Sequence, residues 1–150
     1  MANFRFRLTT LLKLRESARD ERRRQLAEGF QAAATLQEQI DEANGELDGL
    51  RSVYGESSKP GVVKLDRLLD AQRYEAVLRS QLHILEDQAR RVAEEIERRR
   101  LALIEADREV RILEKLREKQ QSRHDAELAR DEMKELDELA GRIRREAAEA

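Results

Sequence analysis

The chain has 150 residues, of which 41% are charged and 3% aromatic, with one proline, six glycines and no cysteine. This excludes a disulfide framework and thiol chemistry, and a net charge of -2 gives no bulk attraction to nucleic acid. Apolar residues recur every three and four positions, so so polar a composition points to long helices or coiled coil rather than disorder. The longest uncharged stretch, Gly29 to Gln37, is far short of the roughly 20 apolar residues that a bilayer span needs. No signal-peptide apolar region follows the N-terminus, and a cytoplasmic protein is expected.

The periodicity predicts a first helix over about residues 8–54. Its seam is clearest at Leu36, Ile40, Ala43, Leu47, Leu50 and Tyr54, where the spacing alternates four and three. Read backwards, the stripe continues through Ala33, Gly29, Leu26, Arg22, Ala18, Arg15, Leu11 and Leu8. A turn is predicted over about residues 55–62, around the only proline, with Lys59-Pro60-Gly61-Val62 suited to a type II turn.

The second helix is predicted over about residues 63–146, with Asp66 as an N-cap. Its stripe runs Leu78, Leu82, Leu85, Ala89, Val92, Ile96, Arg99, Leu103, Ala106, Val110 and Leu113. Two strict heptad stripes joined by a short connector give an all-α fold, a long antiparallel two-helix coiled-coil hairpin. The whole chain, 1–150, is then a single domain.

Symmetry about the connector pairs residues whose numbers sum to roughly 117. Leu50 then faces Leu68, Ile40 faces Leu78, and Tyr74 faces Ala43. Gly29, Ala32 and Ala33 face Leu82, Leu85 and Gln88, small against large. Arg22 and Ala18 approach Ile96, Arg99 and Arg100, a weak layer crowded with cations. Leu11, Leu8 and Phe4 come near Ala106, Val110 and Leu113.

On this register the N-terminus ends opposite residue 113, and roughly 30 residues of the second helix form a C-terminal helical overhang. The overhang opens with a polar stretch, Arg117 to Asp125. It then carries the stripe Ala126, Ala129, Met133, Leu136, Ala140 and Ile143, which nothing else in the chain is left to cover.

Charge is uneven. Residues 1–24 hold eight Lys/Arg and three Asp/Glu, and residues 125–141 hold two and seven. Charge runs are most often solvated helix faces; the sharper reading is a partner of complementary charge. His83 and His124 stand alone, without ligand-type neighbours on both sides, and give neither a metal nor a catalytic site. There is no glycine-rich phosphate loop, nucleophile elbow or paired-carboxylate cleft. No enzyme, cofactor or metal site is expected. Tyr74 and Leu78 share one helix face at i, i+4. That spacing reads first as seam packing, with part of the Tyr74 ring exposed.

Several stretches resemble the FliJ family of bacterial flagellar protein export. Phe4-Arg5-Phe6-Arg7-Leu8 followed by Leu11-Leu12 is similar to its F-x-F-x-L-x-x-L-L opening. Leu113-Glu114-Lys115-Leu116-Arg117-Glu118-Lys119 matches its L-E-K-L-x-E-K stretch. Glu132-Met133-Lys134-Glu135-Leu136-Asp137-Glu138 resembles its E-x-K-x-L-D-E ending, with Met133 where many members carry glutamine. Tyr74 and Leu78 match an aromatic-x-x-x-leucine pattern near the start of the second helix.

The resemblance implies a stalk that binds the hexameric flagellar export ATPase, promotes its assembly and couples it to the transmembrane export gate; some members bind export chaperones. It further implies ATPase binding by Phe4, Phe6, Leu8, Leu113, Leu116, Met133, Leu136 and Ile143, and export-gate binding by Tyr74 and Leu78. The expected location is cytoplasmic, peripheral at the inner face of the membrane at the flagellar base. Two alternatives are a nucleic-acid-binding coiled coil with Arg5 to Arg24 as a basic arm, and a purely structural spacer or overhang homodimer. The acidic C-terminal half and the broken basic run count against the nucleic-acid reading.

Overall fold

The computed structural model describes residues 3–57 and 65–150. It contains two helices, α1 (Thr9–Ser57) and α2 (Leu65–Glu149), packed against each other as a hairpin, with no strand among the described residues. The type II turn expected at Lys59 to Val62 lies outside them. Both helices outrun their predicted ends: α1 continues through Gly55 to Ser57, and α2 reaches Glu149. Asp66 is not the cap; it sits inside the first turn of α2, where its charge favours the positive end of the helix dipole.

The chain divides into two compact units, one formed by Glu21–Ile104 and the other by Met1–Asp20 with Glu105–Ala150. In the first, Ile40, Ala43, Leu78 and Leu82 form a buried cluster, flanked by Leu47, Leu50, Leu85 and Ala89. These are the predicted seam residues. The predicted register differs, however. Gly29 meets Ile96, and Gln25 meets Arg99, seven or eight positions further along α2 than a sum of about 117 allows.

The helix ends account for most of this shift. With α1 ending at Ser57 and α2 starting at Leu65, the centre of symmetry lies near residue 61 rather than between residues 58 and 59. A slip of seven residues moves each seam position onto its heptad equivalent, so both registers bury the same stripe.

The layer predicted to be crowded with cations is satisfied. Arg99 donates through Nε to Glu95 (3.1 Å) and through Nη1 to the Gln25 carbonyl (2.6 Å). Arg100 is held by Glu97, Arg98 by Glu95, and Arg24 by Glu21 and Glu28. These arginines hold the carboxyls of Glu95, Glu97 and Glu21 below their ordinary range, in each case first through the hydrogen bond from Arg98, Arg100 and Arg24 respectively.

In the second unit, Phe6, Leu12, Val110 and Leu113 form the core, with Phe4 and Leu116 packed against it. Here the predicted stripe of α1 is displaced. Leu12 is buried and Arg19 half-buried, whereas Leu11, Arg15, Ala18 and Arg22 are exposed. The strict heptad runs on from Leu26 to Arg19 and Leu12; the predicted stripe took one four-residue step too many and landed on the other member of the Leu11-Leu12 pair. Arg15 and Glu109 form an ion pair at 2.9 Å with side chains 45% and 40% exposed. Such a pair contributes at most about 1 kcal/mol. Each buried leucine or valine contributes roughly 1.5 to 3 kcal/mol, so the apolar layers hold this unit together.

The chain enters α1 through a tight turn. The Phe6 carbonyl accepts bonds from the Thr9 amide (3.3 Å) and the Thr9 hydroxyl (2.6 Å), and the Leu8 carbonyl accepts the first helical bond, from Leu12 (2.8 Å). Residues 3–6 are not helical. Non-helical backbone covers more distance per residue than helix, so Phe4 packs on the cluster that holds Leu113 and also reaches His124, ring centroids 5.7 Å apart. The uncovered part of α2 therefore begins near residue 125 rather than residue 114.

Candidate docking surfaces

Two surfaces emerge, one in each unit. The first is the end of α2. From Ala129 to Ala140 every residue is exposed, and Met133, Leu136 and Ile143 are 61%, 60% and 64% exposed. Single exposed apolar side chains need no explanation; a run of them at helical spacing does. Leu139, three residues after Leu136 and four before Ile143, is also exposed and widens the stripe. The sequence reading missed it by following Ala140 along the heptad. Acidic residues surround the stripe: Asp131, Glu132, Glu135, Asp137 and Glu138 lie between Arg130 and Leu139, and none is ion-paired among the described residues.

The structure separates the eight residues tied to ATPase binding. Phe6 and Leu113 are buried core, and Phe4 and Leu116 are half-buried against it. Leu8 is exposed at the helix entrance. Met133, Leu136 and Ile143 are open to a partner. Phe6 and Leu113 thus build the end of the hairpin from which α2 emerges, and the exposed members of the set lie on the emerging helix and, for Leu8, at the entrance of α1.

The second surface surrounds Tyr74 and Leu78. Leu78 is 2% exposed and part of the core, while Tyr74 is 46% exposed. A groove of about 380 Å³ opens over Leu78, floored by Ala43, Leu78 and Leu85, with Glu42 and Glu46 on the α1 side and Ile84 on the α2 side. The Tyr74 hydroxyl donates to Glu46, which raises the phenol pKa above its ordinary value. Leu78 is thus part of the groove floor, whereas Tyr74 is joined to the groove through its bond to Glu46. Val77 and Ile84 are exposed beside them. Between Arg24 and Arg51, α1 carries six Asp/Glu and no Lys or Arg, so the α1 wall is electronegative.

Nearer the turn, the Tyr54 hydroxyl donates to Glu75 (2.5 Å), which also pairs with Arg79 (2.8 Å). The Tyr54 hydrogen bond first, then Arg79, holds the Glu75 carboxyl below its ordinary range. Among the described residues, no group of three His, Cys, Asp or Glu could hold a metal ion. No described helix is long and apolar enough to cross a membrane.

The model of the family described as "Flagellar FliJ protein" matches residues 4–149. No curated protein and no solved structure matches the chain.

Proposed function

Because the chain belongs to the flagellar FliJ family, a component of flagellar protein export, we propose that it acts there as a non-catalytic coupling hairpin. In this reading the end of α2 engages the hexameric export ATPase and promotes its assembly. The groove at Tyr74 and Leu78 engages the transmembrane export gate, and export chaperones are further partners. The protein then works at the cytoplasmic face of the membrane at the flagellar base.

The observation that carries this reading is the stripe of Met133, Leu136 and Ile143, more than half exposed and covered by no described part of the chain. Burying each such side chain is worth roughly 1.5 to 3 kcal/mol, which favours a partner surface. The test is co-purification with the cognate export ATPase and measurement of its ATPase rate. Met133→Ser, Leu136→Ser and Ile143→Ser together should abolish stimulation and leave the melting temperature of the hairpin nearly unchanged. Tyr74→Ala, tested in parallel, should weaken binding to the cytosolic part of the export gate and spare the ATPase. Normal ATPase binding by the triple variant defeats the reading.

A further inference from the structure

The groove over Leu78 has two unlike walls. On α2 it is lined by Gln81, Ile84 and Gln88. The same stripe runs back through Val77 and Tyr74 at steps of three and four, and all five residues are exposed and uncharged. On α1 the wall is Gln39, Glu42 and Glu46. Glu38 stands four residues before Glu42, so Glu38, Glu42 and Glu46 form one row of carboxylates at i, i+4 spacing.

Like charges at that spacing repel and weaken a helix. Elsewhere in this unit the acids are answered by arginine: Arg24 holds Glu21 and Glu28, and Arg98 and Arg100 hold Glu95 and Glu97. The row on α1 has no such answer. No Lys or Arg lies between Arg24 and Arg51. Neither Glu38 nor Glu42 is ion-paired or hydrogen-bonded among the described residues. Glu46 takes only the Tyr74 hydroxyl, which brings no positive charge.

The floor between the walls is apolar, formed by Ala43, Leu78 and Leu85. From Leu78 to Gln88 the groove follows α2 for about 15 Å, nearly three helical turns. Two ridges at three-four spacing with an apolar floor between them fit a third helix, seated by its own apolar face.

We propose that this groove binds a cationic amphipathic helix of a partner protein. The helix lies along the groove as a third strand of the coiled coil. Its apolar face packs on Leu78, Ile84 and Leu85, and its Lys or Arg side chains stand over Glu38 and Glu42. The carboxylate row selects the partner: it attracts a basic helix and repels an acidic one of the same shape. The source of the helix rests on the functional reading above, on which it is the cytosolic part of the export gate.

The test uses the full-length protein with a synthetic probe. The chain has no cysteine, so a fluorophore on a Gln88→Cys variant reports on the groove, and one on a Leu139→Cys variant reports on the exposed end of α2. The probe is a peptide of about four helical turns, with leucines at three-four spacing and lysines beside them. Its control carries glutamates in place of the lysines. The lysine peptide should change the signal from the groove, less tightly as salt is raised, and the glutamate peptide should leave it unchanged. Glu38→Lys with Glu42→Lys should weaken the lysine peptide by at least about tenfold. The milder Glu38→Gln with Glu42→Gln should also weaken it, with a melting temperature unchanged or raised, because the repulsion leaves with the charge. Signal only from Leu139→Cys, equal binding of both peptides, or indifference to the Glu38 and Glu42 substitutions overturns the proposal. Competition by the purified cytosolic fragment of the export gate is a separate arm. Peptide binding that the fragment does not displace supports the groove's chemistry and removes the gate as the source. Gate binding unchanged by Glu38→Lys with Glu42→Lys keeps the gate reading and overturns the cationic helix.

Discussion

The Arg99 guanidinium crosses from α2 to the Gln25 carbonyl of α1, 2.6 Å away, beside Gly29. Helical side chains lean towards the N-terminus of their helix and cover the preceding turn. A side chain at position 29 would therefore shade the carbonyl of residue 25. Glycine leaves that carbonyl bare, and α2 comes close enough for Ile96 and Arg99 to occupy the notch.

Gly29→Val should therefore destabilise the hairpin. Its Cβ alone would stand 3.1 Å from Ile96 Cγ1, and the branched side chain would also obstruct Arg99. Overpacking of this kind costs about 1 to 3 kcal/mol. Urea unfolding monitored by circular dichroism measures it; a midpoint at or above that of the parent would mean that the notch is not a tight contact.

Gly45 and Gly49 are the opposite case. Both lie inside α1, and a Cβ at either meets nothing within 4 Å. Alanine at each should raise stability by about 1 kcal/mol, the helix-propensity difference between the two residues. The same unfolding assay applies, and the double substitution should be close to additive because neither site has a packing partner. No gain at either position would argue against a continuous helix there.

The Tyr54–Glu75 contact makes a pH prediction. The folded-state carboxyl of Glu75 is held below its ordinary range, so its stabilisation is fully present above the unfolded pKa and is lost as pH falls through the folded value. Melting temperature should drop on acidification below about pH 5. Glu95, Glu97 and Glu21 act in the same direction, so the comparison must be with Glu75→Gln. That variant should be less stable near neutrality and show a shallower acid loss; an identical acid profile would rule the contact out as a source of stability.

The fold was legible in the sequence because its determinants are local. A three-four apolar period predicts helices, and one proline-glycine site predicts a single reversal. Register was not legible, because heptad stripes match equally well after a slip of seven, and the choice falls to the turn and to the notch at Gly29. The phase of α1 near its start was misread at Leu11-Leu12, where two adjacent leucines fit either stripe and only packing against Val110 and Leu113 decides. Of the candidate contact residues, Met133, Leu136 and Ile143 were legible as uncovered, since no chain remained to face them. The burial of Leu113 followed from its place at the end of the α2 stripe, but that of Phe6 did not: a motif marks residues that matter without distinguishing those that touch a partner from those that build the platform.

Phe4 and Phe6 close the apolar seam with non-helical chain, so few residues shield a long reach of α2, from Leu113 through Leu116 to His124. That end of the molecule is consequently sensitive to proteolytic trimming ahead of α1. Losing half a dozen leading residues there would strip the cover from three positions of α2 at once and lengthen the bare helix by about two to three turns. The short non-helical segment before α1 sets where the covered helix stops and the open one begins.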